Sequence, residues 1–267
     1  MVAAISSDSL YGQLGLPRAP TIVDVRRADD YGAQPRLLPG ARRGDPDRLA
    51  QWAAALARTR PVAVYCVHGH RVSQAAAQAL VALGFEASYL DGGIGGWIDA
   101  GRATVKARAE LGVPGASRWM TRERPKIDRL ACPWLVRRFI DPDALFFYAP
   151  AHRVRAEAEA LGALPYDIAD VAFSHRGPRC SFDAFLDEFD LHDPVLDQMA
   201  DIVRAADTGV PEQVPQAHGL LAISLGLSAN IADDISLLEQ AMPVYDALYA
   251  WCKTARDETH SWPQKKY

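Results

Sequence analysis

Short apolar runs alternate with amphipathic stretches through the first hundred residues. Residues 21–25 (TIVDV) form a β-branched run of the kind a buried strand requires. Residues 46–58 place Leu49, Trp52, Ala53 and Leu56 on one helical face, with Pro46 near the start. Residues 61–66 (PVAVYC) predict a second buried strand. Residues 71–83 predict a helix that ends at Gly84. Residues 85–90 (FEASYL) predict a third strand, closed by the turn Asp91-Gly92-Gly93. Strands alternating with helices imply an α/β fold with a mostly parallel sheet.

The pattern then changes. Residues 105–116 carry Gly, Pro and charge without a period, and read as a linker. Helical spacing dominates from there: residues 133–140, 152–161, 182–189, 194–206 and 216–225 all fit it. Residues 233–254 predict one long helix or a pair kinked at Pro243. Residues 145–149 (LFFYA) and 167–173 (DIADVAF) are candidate strands. The expected organisation is a parallel-sheet domain with flanking helices over 1–105, a linker over 106–116, a mostly helical α+β domain over 117–255, and a polar tail over 256–267.

Charge and composition exclude some functions. The chain of 267 residues has a net charge of −4, and its basic residues are scattered, against a nucleic-acid surface. No apolar run reaches the ~18 residues that span a bilayer. The first ten residues lack a signal-peptide pattern, so a cytoplasmic location is expected. The four cysteines, Cys66, Cys132, Cys180 and Cys252, are far apart, and in a reducing compartment they read as thiols or ligands.

Cys66 carries the strongest chemistry. It ends a predicted strand, and a helix begins five residues later. The turn between them must aim backbone N–H groups inward, which lowers a thiol pKa and holds negative charge. Gly69 gives the loop freedom, and Arg71 adds a forked cation. With these residues, Asp24-Val25-Arg26, Pro39-Gly40-Ala41 and Asp91-Gly92-Gly93 with Trp97 resemble, in order, the signatures of the rhodanese family over about residues 20 to 105. The resemblance implies a sulfurtransferase that needs no cofactor. Cys66 would carry a persulfide, Val67, His68, Gly69 and His70 would cradle its terminal sulfur, and Arg71 would bind an anionic donor. Asp24 and Arg26 would support the base of the loop, Asp24 as a structural residue. Related phosphatases have five residues between Cys and Arg; this chain has four, which suits a single sulfur. The chain departs from the family at Arg36-Leu37-Leu38, where a Gly-His-hydrophobic triplet is usual. The alternative is an inactive rhodanese fold used for binding, but retention of Cys66 and Arg71 favours activity.

Residues 117–253 resemble the C-terminal domain of the chromate-resistance protein family. The match runs through Trp119-Met120-Thr121-Arg122 to Phe139, His175 to Phe182, Ile202 to Asp207, Gly219 to Ile223 and Val244 to Trp251. His218 stands where a small residue or proline is usual. The resemblance implies an accessory or regulatory role in chromate tolerance. From the residues alone, Cys132 before Pro133 reads as a helix N-cap thiol or as a small buried side chain. His175 and Cys180 precede a helix that Ser181 is placed to cap. They either play structural parts or share a metal with Cys132, Asp128, Asp207 or His218. Arg122, Arg124, Lys126, Arg129, Arg137 and Arg138 form a basic run, read as a salt-bridged face or as an oxyanion site. The expected partners are a small sulfur donor, a thiol or cyanide acceptor and an oxyanion, with no membrane or nucleic acid. Two rivals stand beside sulfur transfer: a non-catalytic chromate- or oxidant-responsive regulator, and an oxyanion reductase, which would need a second thiol close to Cys66.

Overall fold

The computed structural model describes residues 2–107, 116–210, 212 and 214–258. The first half is built on a five-stranded, all-parallel sheet. In chain order its strands are β1 (Ala3–Ile5), β2 (Thr21–Asp24), β4 (Ala41–Arg43), β5 (Val62–Tyr65) and β6 (Ala87–Leu90), arranged β1-β6-β5-β2-β4. A small antiparallel pair, β3 (Arg36–Leu37) with β7 (Val105–Lys106), lies apart from it. Five helices accompany these strands: α1 (Ser7–Gln13), α2 (Ala28–Ala33), α3 (Leu49–Ala53), α4 (Arg71–Ala82) and α5 (Gly93–Asp99).

Alternation along the strands separates two cores. Ile22, Ala63 and Tyr65 face Leu10 of α1, Leu14 just after it, and Ile94 and Trp97 of α5. Val23, Val62 and Val64 face Ala53 of α3 and Ala76, Ala77 and Leu80 of α4. Both faces of the sheet are therefore covered, as a parallel sheet requires.

The second half has a three-stranded parallel sheet, β8 (Arg118–Arg122), β9 (Leu145–Ala149) and β10 (Leu164–Pro165), in the order β10-β8-β9. Helices α6 (Asp128–Leu135), α7 (Val154–Leu161), α8 (Ser181–Glu188), α9 (Pro194–Asp207), α10 (Pro215–Asn230) and α11 (Asp234–Ala250) make up the rest. Their core is rich in aromatic side chains: Trp119, Phe173, Phe185 and Phe189 meet in tilted and edge-on pairs. The α/β and mostly helical α+β classes expected for the two halves both hold. No helix among the described residues is long and apolar enough to cross a membrane.

The halves are bonded to each other. Tyr11 donates to Asp193 Oδ2 at 2.6 Å. Lys253 Nζ donates to the carbonyls of Tyr11 (2.7 Å) and Leu14 (3.0 Å), a cation at the C-terminal end of α1. Gly40 N donates to Phe139 O at 2.6 Å. Arg36, in the triplet that departs from the rhodanese pattern, pairs with Asp190 at 2.6 Å.

Several local expectations are corrected. The helix expected over 46–58 is a 3₁₀ turn at Pro46–Arg48 followed by α3, after which Ala55 and Leu56 bond three residues back. Residues 167–173 are a loop, because Asp167 and Asp170 adopt φ of 51° and 53° and β10 fills the sheet position beside β8. Residues 105–106 of the expected linker pair with β3. Residues 108–115 of it, and residues 259–267 of the tail, lie outside the described residues. Helix α11 passes through Pro243 without a break. Helix α8 begins at Ser181, so Ser181 is its first residue and Cys180 its cap position.

Helix α6 starts at Asp128, five residues before Pro133. Pro133 has no N–H, so the carbonyl of Arg129, four residues earlier, loses its helical donor. The buried Tyr166 hydroxyl donates to that carbonyl instead, at 3.2 Å. Tyr166→Phe should therefore lower unfolding free energy by about 1–2 kcal/mol, read from chemical denaturation midpoints. An unchanged midpoint would show that the carbonyl finds another donor.

Candidate functional site

Cys66 follows β5 directly, at the carboxyl end of the parallel sheet, where ligands of open α/β sheets bind. The loop from Val67 to His70 carries the chain into α4, which begins at Arg71. Helix α5 sets the loop's orientation. Ile94 N donates to Cys66 O at 3.0 Å, and Gly95 N donates to Val67 O at 2.9 Å. Gln74 Nε2 donates to Gly69 O at 3.1 Å. With these carbonyls engaged outside, the backbone N–H groups of Ser73 in α4 and of His68 and His70 in the loop act on the sulfur as donors and favour its anionic form. Ser73 Oγ lies 3.2 Å from Cys66 Sγ.

Two close approaches require glycine. Gly69 has a φ of +72°, and a Cβ there would sit 2.5 Å from Leu90 O and 2.8 Å from Gly92 N. A Cβ on Gly93, φ +59°, would overlap the carbonyls of Cys66 and Val67. The turn Asp91-Gly92-Gly93 is thus the floor against which the cysteine loop is pressed.

Burial acts on Cys66 to raise its pKa. The Ser73 hydroxyl and the three amides outweigh burial, so the thiol stands below its ordinary value. Arg71 is exposed, and no described residue holds its guanidinium. His68 and His70 are exposed, with ring centroids 6.1 Å apart. Asp24 and Arg26 form a fully buried pair at 2.6 Å. The remaining Arg26 donors reach the carbonyls of Gln34 and Arg36, which places both residues in the frame beside β5.

A second constellation lies in the other half. His175 Nε2 is 3.1 Å from Asp128 Oδ2, 3.2 Å from Asp207 Oδ2 and 3.4 Å from Asp167 Oδ1. Asp128 opens α6, Asp207 closes α9, and His175 and Asp167 come from the loop before α8. Three of the expected metal-site residues, Asp128, His175 and Asp207, are brought together. Asp167 joins them from the segment expected to be a strand. Its Oδ2 is gripped by Arg122 (2.6 Å) and Arg129 (3.2 Å), and its Oδ1 accepts from Ser181 Oγ at 2.9 Å. The nearest sequence signal for Asp167 was that arginine pair, since a buried carboxylate has to answer it.

The other expected ligands fall away. His218 is exposed on α10, outside the cluster. Cys132 is inside α6 and not at its cap. Burial first, then Asp128 and Cys180, push its thiol well above the ordinary value. Cys180 is raised by the same causes, burial and then Asp128. Both are buried neutral thiols beside the carboxylates. Most of the basic run is engaged in pairs and caps. Arg137 meets Glu239, Arg138 meets Asp246, and Arg124 donates to Ser228 O. The salt-bridged reading of that run therefore stands over the oxyanion site.

Burial raises Asp207 first, and Asp128 raises it further, to about 7. Asp128 raises His175 to about 9 against the opposing effect of burial. Burial, then Asp128, raises Asp167.

Comparison with known proteins divides the chain in the same place. Residues 6–100 match the model of the rhodanese-like domain. The rhodanese-related protein of Thermoplasma volcanium is 28% identical, with a TM-score of 0.35, over 39% of this chain and 99% of its own. The thiosulfate sulfurtransferase of Pseudomonas aeruginosa is 24% identical, with a TM-score of 0.35, over 40% of this chain and 20% of its own. Protein ChrB of Cupriavidus metallidurans is 34% identical over 139 residues, which are 52% of this chain and 41% of that protein. This chain thus spans about two fifths of the length of that relative. Residues 119–252, half of the chain, match the model described as ChrB, C-terminal domain. The chain therefore belongs to the ChrB C-terminal domain family and carries a rhodanese-like domain ahead of it.

Proposed function

We propose that the protein is a sulfurtransferase that moves sulfane sulfur from thiosulfate or a similar donor to a thiol or cyanide, through a persulfide on Cys66. One observation carries this reading: three backbone amides and the Ser73 hydroxyl converge on Cys66 Sγ and lower its pKa against burial. Such a cradle stabilises anionic sulfur, either as thiolate or as persulfide.

The reaction has two displacements. The Cys66 thiolate attacks the outer sulfur of thiosulfate. A Cys66–sulfur bond forms, the sulfur–sulfur bond of the donor breaks, and sulfite leaves with the electron pair. The acceptor, a thiolate or cyanide, then attacks the terminal sulfur. Its bond to Cys66 breaks, and the Cys66 thiolate is restored. The loop amides hold negative charge at both stages. Arg71, exposed at the mouth of the loop and free of any described partner, supplies a cation for the donor's sulfonate group. No general base is needed once the thiolate has formed.

The reductase reading needs a second thiol at Cys66. Cys132, Cys180 and Cys252 are all buried in the other half. The ChrB-type half links the activity to chromate or oxyanion stress, and four unpaired cysteines suit a reducing cytoplasm.

Incubation with thiosulfate should add the mass of one sulfur atom to the chain, and Cys66→Ser should abolish the gain along with thiosulfate:cyanide activity. No mass gain from any sulfane donor would defeat the proposal and favour a non-catalytic regulator. Ser73→Ala should raise the pH midpoint of Cys66 alkylation by iodoacetamide. The rate at pH 7 should fall roughly threefold to tenfold, the range expected for one lost hydrogen bond. A midpoint that stays put or drops would remove Ser73 from the cradle.

A further inference from the structure

We infer that Asp128, His175 and Asp207 form a binding site for one divalent first-row cation, of the Mn²⁺ or Zn²⁺ class, independent of the Cys66 chemistry. These side chains come from the start of α6, the loop before α8 and the end of α9, so the fold gathers them from distant parts of the chain. One ligand atom from each lies within 4.8 Å of the others.

An internal hydrogen-bond network accounts poorly for the arrangement. An imidazole Nε2 carries at most one proton. Yet three carboxylate oxygens approach His175 Nε2 at 3.1, 3.2 and 3.4 Å. One N–H can donate to only one of them, and the other two meet the ring through charge alone, without a hydrogen bond of their own to it. Ligands bound at about 2.0–2.2 Å to a common ion are spaced roughly 3.0 to 3.5 Å from one another. The separations from His175 to Asp128 and Asp207 fall in that range, and the two carboxylates lie within 4.8 Å of each other, so an ion could contact all three once the carboxylates close on it.

The charges agree. Asp128, Asp167 and Asp207 have side chains 3%, 5% and 16% exposed. Arg122 and Arg129 both act on Asp167, so Asp128 and Asp207 share the His175 ring as their charged partner. Buried carboxylates of this kind are paired or hold metals. The surroundings also resemble a metal's outer shell. Ser181 N donates to Asp128 Oδ2 at 3.2 Å, which fixes that carboxylate. Asp167, held by two arginines and a serine, is oriented toward the same centre.

The donor set selects the ion. One imidazole with two carboxylates suits Mn²⁺, Fe²⁺ or Zn²⁺, whereas Ca²⁺ takes six to eight oxygens at longer distance. Cys132 and Cys180 lie outside the ligand set, which is made of nitrogen and oxygen donors alone. His175 is 39% exposed, so the site opens to solvent and leaves coordination positions for water.

The test uses the full chain, stripped with a chelator and titrated calorimetrically with Mn²⁺ and separately with Zn²⁺. One equivalent of at least one ion should bind, and its presence should raise the melting temperature. Asp207→Asn and His175→Gln should each weaken binding more than tenfold while thiosulfate-dependent mass gain at Cys66 persists. If a variant loses its fold, electron-spin-echo spectra of the Mn²⁺-loaded wild type, or of a Co²⁺-substituted form, should show coupling to one imidazole nitrogen. Failure of the wild type to bind either ion overturns the inference. So does binding unaffected by both substitutions, or a bound ion with no nitrogen coupling.

Discussion

Two backbone hydrogen bonds decide what the cysteine loop can do. Ile94 N and Gly95 N, at the start of α5, take up the carbonyls of Cys66 and Val67. A short loop has few ways to distribute its polar groups. Once its carbonyls point toward α5, its amides have one direction left, the sulfur. Gly93 makes this contact feasible, because any side chain there would push α5 away from the loop. The lowered thiol pKa depends on both flanking helices: α4 brings the Ser73 hydroxyl and amide to the sulfur, and α5 fixes the loop whose His68 and His70 amides join them. Strands β5 and β6 are hydrogen-bonded neighbours, so the segments that follow them meet at one sheet edge by topology alone.

The same economy joins the halves. Helix α1 covers one face of the parallel sheet through Leu10 and Leu14, and its last carbonyls receive Lys253 from the end of the other half. Burial lowers the Lys253 pKa to about 8. Its ammonium is held by two carbonyls and the rings of Tyr11 and Tyr249. Charge here sits at a helix end and over aromatic faces, where it satisfies groups the helix itself leaves unbonded.

Much of this was legible in the residues. The strand-helix alternation of the first half followed from β-branched runs and helical spacing. Cys66 and Gly69 announced a tight loop with inward amides, whereas its contact with the Asp91-Gly92-Gly93 turn emerged only from the packing of the two segments. Ser73 was missed, since a serine one turn into a helix carries no special pattern and acts only because α4 starts where it does. The second half was harder. Pro133 suggested a helix start, but Tyr166, thirty-three residues on, supplies the missing donor and lets the helix begin at Asp128. The run at 167–173 alternates like a strand, but Asp167 bends out to meet Arg122 and Arg129. In each case a tertiary partner overrode a local preference, and that partner was invisible to any window of neighbouring residues. Asp128, His175 and Asp207 stood among six candidate ligands beside a structural reading, and only the tertiary fold separates them from Cys132, Cys180 and His218.

The two sites handle charge in opposite ways, and this makes their separation intelligible. At Cys66 fixed dipoles converge, so the pocket stabilises a negative atom and would repel a cation. At His175 carboxylates converge in a buried setting, so the pocket stabilises a cation and would repel an anionic donor. An ion bound at the second site would gain nothing from Cys66, and its own thiol neighbours, Cys132 and Cys180, are kept neutral by burial and by the carboxylates. A thiol placed among carboxylates is a poor nucleophile, whereas a thiol placed among amides is a good one. Four cysteines in one chain thus divide by surroundings: one is activated and three are packed. The difference lies in what stands against burial: at Cys66 the Ser73 hydroxyl and three amides outweigh it, and at Cys132, Cys180 and Cys252 burial dominates.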